Sequence, residues 1–194
     1  MAVAIVAGDS ISGEANRGTL RYLLIRPVER SRLLRVKAAV IAGFCVAATA
    51  VVTLSGLLSG LVPFPIGRVT TLSGDSLSLG AGRLRIAGAA LLIGLSLLGL
   101  AAIGLFISTL TDVPVDAMAA TLGVFILAGV LNALPQVKGI HAWIFTNDWA
   151  SYSDLLRTHI VWTGIVHNLQ RQVLYALIFC SAAWAQFTTK DVLG

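Results

Sequence analysis

The run AAVIAGFCVAATAVVTLSGLLSGLV, residues 38–62, decides the fold: 25 consecutive positions carry no charge. As an α-helix it reaches about 37 Å, enough to cross the roughly 30 Å hydrocarbon core of a bilayer with some tilt. One Arg or Asp at mid-bilayer would cost roughly 2.5–3.5 kcal/mol, so the absence of charge says more than the number of Leu residues. Working outward, residues 86–110 form a second uncharged run of the same length, and residues 117–134 a third that just spans. A fourth, weaker run covers residues 173–187 and is extended by Gln172 and Thr188 at its flanks. The whole chain agrees. Of its 194 residues 57% are hydrophobic and only 12% charged, with a mean hydropathy of +0.87. A soluble domain is about 25% charged, so this composition excludes both a water-soluble globule and a disordered chain. The expected fold is all-α, a polytopic membrane bundle with spans near 34–62, 86–110, 117–134 and 171–188 and an outer segment over 135–170.

Charge placement orients the bundle. Seven of the fourteen basic residues, Arg17, Arg21, Arg26, Arg30, Arg32, Arg35 and Lys37, crowd into one connection. The positive-inside rule places that connection in the cytoplasm. The 63–85 and 135–171 connections then lie outside, and the 111–116 turn and the C-terminus with Lys190 lie inside, giving a multi-pass cell-membrane protein. Before the basic cluster, Met1 to Gly8 forms a short apolar stub with neither the length nor the basic leader of a signal peptide. It reads as the final two turns of a membrane helix that enters the cytoplasm at Asp9.

Residues 9–37 are the most informative stretch. Gly18 and Thr19 predict a helix start with Thr19 as cap. Leu20, Leu23 and Leu24 share one face at i, i+3, i+4 spacing, with Arg21 and Arg26 off it. Pro27 ends the element, and Ser31 is a cap for the first full span. The first domain, residues 1–32, is thus a stub plus a short amphipathic helix on the inner membrane surface, and residues 33–194 form the transmembrane domain. On periodicity alone the surface helix binds anionic lipid through its arginines.

Other constellations are weaker. Gly8 and Gly13 have the glycine spacing of a phosphate-binding loop, but Glu14 stands where Lys should meet the phosphates. His141, His159 and His167 lack metal-ligand spacing, and Cys45 and Cys180 read as small apolar residues. Ser10, Ser12 and Ser31 have no partner spaced for a catalytic triad. Trp143, Trp149, Tyr152 and Trp162 predict an aromatic belt at the membrane interface, with short re-entrant or surface helices. Asp112, Pro114 and Asp116 predict a helix start. Ser108, Thr109 and Thr121 are candidate interhelical hydrogen-bond donors. Ala39, Gly43, Ala47, Gly56 and Gly60 sit at the four-residue spacing that lets membrane helices approach closely, a spacing this composition also yields by chance. The 38–62, 86–110 and 117–134 runs hold no ionisable residue, against an intramembrane enzyme. No nucleic-acid partner is expected, because the basic segment is flanked by membrane and holds one aromatic residue, Tyr22.

The run Glu14-x-x-x-Gly18-Thr19-Leu20, then Pro27-Val28-x-Arg30, then Leu33-Leu34-x-x-Lys37 opening a membrane helix resembles the first cytoplasmic loop of exporter-type ABC transporter permeases, the type-2 permease family. The tail Phe187-x-x-Lys190-Asp191-Val192 is similar to that family's, and the outer segment with Leu134-Pro135, Trp143, Phe145-Thr146-Asn147 and Asp154-Leu155-Leu156 more loosely so. The resemblance implies that the surface helix is a coupling helix docking into a separate ATP-binding subunit, with Glu14, Gly18, Thr19, Leu20, Arg21, Leu23 and Pro27 at the contact. It implies a membrane-spanning permease subunit without ATPase of its own, ATP and Mg being held by the partner subunit, and a second permease copy or paralogue beside it in the bilayer. Such permeases usually have six spans; four plus a stub imply a chain lacking the first span and most of the second. The competing reading is a non-transporting membrane anchor or regulatory protein, a degenerate permease being one form of it.

Overall fold

The computed structural model describes residues 1–17, 30–60, 69–70, 74 and 76–189. Its helices are α1 (Ala2–Asn16), α2 (Arg30–Gly60), α3 (Leu79–Ser96), α4 (Leu98–Leu110), α5 (Pro114–Ala133), α6 (Lys138–His141) and α7 (Trp162–Thr189). Two 3₁₀ turns, Pro135–Val137 and Trp149–Leu156, complete the outer segment. The strands among the described residues form one two-residue antiparallel ladder, Val69–Thr70 on Ser76–Leu77, with Gly74 at φ 92° between them.

Three helices are long and apolar enough to cross a membrane: α2, the α3–α4 pair from Gly80 to Leu110, and α5. They identify the chain as a membrane protein. A fourth full span is not among them. At 28 residues α7 has the length, but His167, Asn168, Gln170, Arg171 and Gln172 fall in its N-terminal half and lower its hydropathy. α7 also starts nine residues before the expected 171, because residues 162–170 continue the helix instead of belonging to the outer segment. α2 begins at Arg30, so Ser31 lies inside the helix and is not its cap. At the next start the expectation holds: Pro114 opens α5 and Asp116 sits in its first turn.

The stub requires the largest correction. α1 does not leave the bundle at Asp9; it continues to Asn16 and packs chiefly on α4 and α5. Val3, Ala4, Ala7, Gly8, Ile11, Ser12 and Gly13 are buried. Side-chain size is the cause. A Cβ on Gly8 would lie 2.9 Å from the Met118 backbone, and one on Gly104 would lie 2.7 Å from the Ala7 Cβ. Small residues let backbones approach this closely in lipid, where dispersion and hydrogen bonds must supply the attraction that hydrophobic burial supplies in water. Ser108 Oγ completes the contact by accepting from the Ile11 and Ser12 amides, 2.9 Å each. Thr109 and Thr121 instead bond carbonyls of their own helices, Phe106 and Ala117, so only Ser108 of the three predicted donors works between helices.

The core divides into two clusters. One gathers Val3, Ala7, Ile11, Leu34, Ile41, Cys45, Leu105 and Phe187 at the end of the bundle where α1 terminates. The other joins Ala4, Leu100, Ile103 and Ala128 to Ile144 and Phe145, drawing the outer segment into the bundle. By contrast, Gly43, Gly56 and Gly60 of α2 have open space where a Cβ would stand, so at these positions the small-residue spacing makes no close contact among the described residues.

Candidate functional site

Two places concentrate polar groups inside this apolar bundle. The first is the C-terminal end of α1. There Glu14 Oε1 accepts a hydrogen bond from Lys37 Nζ, tying the end of α1 to the first turns of α2. Both side chains are about three-quarters buried. Glu14 is the described member of the predicted coupling contact. Gly18, Thr19, Leu20, Arg21, Leu23 and Pro27 lie outside the described residues. The segment 17–29 therefore joins two helices that an ion pair already clasps at their near ends.

The second place lies between α7, the α3–α4 junction and the outer segment, and the expected boundaries conceal it. The helix from Gly80 to Leu110 is interrupted at Leu97, whose amide turns back to the Gly94 carbonyl (3.3 Å). A break in the i→i−4 ladder frees backbone groups that need partners. Gln172 supplies one: its Oε1 accepts from the Gly99 amide (3.0 Å). Gln172 Nε2 donates to the Phe145 carbonyl (2.8 Å) and to Asn168 Oδ1 (3.2 Å). Asn168 Nδ2 donates in turn to Ser96 Oγ (2.6 Å) and Ser151 Oγ (3.2 Å). Asn168, Gln172, Ser96 and Ser151 are all buried. One connected network thus holds the broken helix, α7 and residues 145–151 together. Asn168 and Gln172, four apart on one helical face, were the sequence signal for it. Placing the start of the span at 171 separates them and hides it.

Beside the network, five rings form a continuous chain. Phe125 meets Trp149 at 5.8 Å, Trp149 meets Phe145 at 5.7 Å, Phe145 meets Tyr175 at 5.6 Å, Tyr175 meets Phe179 at 5.8 Å, and Phe179 meets a sixth ring, Phe106, at 5.7 Å. Offset and edge contacts of this kind add to the burial of each ring. The expected interfacial belt is therefore split. Trp143, Tyr152 and Trp162 are exposed, whereas Trp149 packs inward against Phe125 and Phe145. Thr146 Oγ1 and Trp149 Nε1 are buried with no hydrogen-bond partner among the described residues. Arg171 Nη1 donates to Asp148 Oδ2 (2.8 Å) and Tyr175 Oη to the Trp143 carbonyl (2.6 Å), pinning the segment's outer edge to α7.

No group of three or more His, Cys, Asp or Glu side chains that could hold a metal occurs among the described residues. His141 instead caps the end of α5, its Nε2 lying 3.1 Å from the Leu131 carbonyl and 3.2 Å from that of Leu134. What the two places offer is mechanical: a clasp between α1 and α2 at one end, and a polar lock at the helix break.

No curated protein matches the chain, and no solved structure does. A family model does, over residues 1–193. The chain thus belongs to the DUF2705 family, whose description is "protein of unknown function".

Proposed function

We propose that the chain is the membrane-spanning permease subunit of an ATP-driven ABC exporter, taking the motion of a separate ATP-binding subunit through residues 14–28. The observation that carries this reading is the run from Glu14 to Lys37 on the junction between two helices. The first of those helices is wedged at backbone contact against α4 and α5, and the second is the longest in the chain. A force on the segment joining them reaches both, and α1 has little slack to absorb it. Packed elements of this sort shift as rigid bodies. ATP binding would close the partner subunits, draw on the segment and rock the bundle between inward- and outward-open states. In this reading α7 is the fourth span, the 17–29 connection and the C-terminus are cytoplasmic, a second permease copy or paralogue completes the pathway, and ATP is hydrolysed only on the partner.

The ion pair gives Glu14 a task within the chain as well as at the contact. Leu20 and Leu23 are then the residues whose loss should affect docking alone. The test is purification of the tagged full chain from its native membrane, followed by peptide mass spectrometry for a subunit with a phosphate-binding loop, and ATPase assay of the complex. Leu20→Asp should remove that subunit and its stimulated ATPase while leaving insertion intact. Unchanged capture and unchanged ATP turnover in Leu20→Asp would overturn the coupling role and leave a membrane anchor or regulator.

A further inference from the structure

We infer that the cleft between α4, α5 and α7 is a binding site for one anionic phospholipid, its acyl chain in an aromatic crevice and its headgroup beside Arg171. The inference stands apart from transport: it concerns what occupies this face of the bundle whether or not cargo moves.

Two cavities meet at Trp143 and Tyr175. The inner one, of about 470 Å³, is lined almost wholly by apolar atoms, with Ile103, Phe106, Val124, Leu127 and Phe179 among its walls. Along α5 its walls run from Val124 to Leu131, about 10 Å at the helical rise. Leu127 and Trp143 on its rim are exposed, so it opens sideways toward the lipid. The outer cavity, of about 330 Å³, is the more polar and is lined by His167, Gln170, Arg171 and Leu174. The Tyr175–Trp143 hydrogen bond marks the boundary. An apolar slot that continues into a polar vestibule has the form of an amphiphile, and both volumes fall in the range of ligand sites.

Charge selects the headgroup. The Arg171 side chain is 13% exposed and spends one hydrogen bond on Asp148. A guanidinium has five N–H donors, so the vestibule retains unspent ones for phosphate oxygens, which Arg recognises in bidentate fashion. The surroundings have the same sign. Among the described residues at this end of the bundle, Arg83, Arg85, Lys138, Arg157 and Arg171 stand against Asp148 and Asp154. Both acids are already taken, Asp154 by Arg157 at 3.0 Å and Asp148 by Arg171 at 2.8 Å. Basic pockets between membrane helices hold anionic headgroups by this chemistry.

The test uses the full chain in vesicles of equal parts phosphatidylcholine and phosphatidylglycerol, with bromine on the acyl chains of one lipid at a time. Bromine quenches a tryptophan it touches. The Trp143 signal is the part of the quenching absent from Trp143→Phe. Brominated phosphatidylglycerol should quench that signal with about fivefold higher apparent affinity, the factor one near-surface cation confers. Arg171→Gln should bring the two lipids to parity. Ala142→Glu should do the same from an exposed position where folding is not in question. Val124→Phe, which fills the crevice, should weaken quenching by both. Equal quenching by the two lipids in the unaltered chain, or a preference that survives Ala142→Glu, overturns the inference. If Arg171→Gln does not fold, Ala142→Glu alone decides.

Discussion

Replacing Gln172 with Leu puts the lock at the helix break to a quantitative test. Leu keeps most of the side-chain volume, so the loss is polar. Three hydrogen bonds disappear: from the Gly99 amide at 3.0 Å, to the Phe145 carbonyl at 2.8 Å and to Asn168 Oδ1 at 3.2 Å. Gly99 N–H and Phe145 C=O then lose side-chain partners in a site where Gln172 is 1% exposed. In water-soluble proteins a buried group left unpaired costs about 1–3 kcal/mol. Within membranes the measured coupling per bond averages nearer 0.6 kcal/mol, because the unfolded chain in lipid also finds partners. Three bonds at the membrane value give about 2 kcal/mol, and two orphaned backbone groups at the soluble midpoint give about 4 kcal/mol. The expected destabilisation is therefore about 2–4 kcal/mol, read by equilibrium unfolding of the detergent-solubilised chain. Asn168→Leu and the double variant close a cycle. Because Asn168 and Gln172 share a bond, the double variant should cost about 1 kcal/mol less than the sum of the singles. A loss under about 0.5 kcal/mol for Gln172→Leu, or strict additivity in the cycle, would show that the network is not a unit.

Helix contact makes an opposed pair of predictions. Gly8→Ala should destabilise by about 1–3 kcal/mol, since its Cβ meets immovable Met118 backbone at 2.9 Å and overpacking costs that much. Gly43→Ala, with nothing within 4 Å, should be neutral or stabilise by up to about 1 kcal/mol through helix propensity; the same unfolding assay reads both, and equal effects would refute the close approach of α1. Glu14→Ala should weaken partner-stimulated ATPase without blocking membrane insertion, and unchanged coupled activity would remove Glu14 from that role. The exchange Glu14→Lys with Lys37→Glu should restore the clasp within the chain, so recovered stability with coupled ATPase still depressed would locate a further task for Glu14 on the partner, and full recovery of both would confine it to the clasp.

The long helices were legible because an uncharged run of 25 residues has few alternatives in a chain of this hydropathy. α2 and α5 begin within four residues of the expected starts, and Pro114 opens α5 as its position predicts. Three things were not legible, each for a physical reason. Residues 9–16 look like a polar loop because Asp9, Ser10, Ser12 and Glu14 interrupt the apolar pattern. Their hydroxyls, however, turn back onto the helix, Ser10 to the Ala7 carbonyl at 2.8 Å and Ser12 to that of Gly8 at 2.7 Å, and in that way each hydroxyl proton is satisfied within the helix. The break at Leu97 leaves no mark in the run LSLLGL, since neither Pro nor charge is present; it depends on Gln172, seventy residues away. The start of α7 was missed because a hydropathy criterion stops at the polar run from His167 to Gln172, which holds the residues that face the bundle and residues 145–151.

That last failure bears on how the bundle works. A membrane helix bearing an Asn, an Arg and a Gln within five residues is expensive unless each is satisfied by protein. Here each is satisfied by a different element: Asn168 by the end of α3 and by Ser151, Gln172 by the start of α4 and by Phe145, Arg171 by Asp148. No one of these elements can move against α7 without stranding a buried polar group. At the opposite end of the bundle Glu14 pairs with Lys37 between α1 and α2, both side chains about three-quarters buried. In the coupling proposed above, a force reaching α7 would therefore carry α3, α4 and residues 145–151 with it as one locked body.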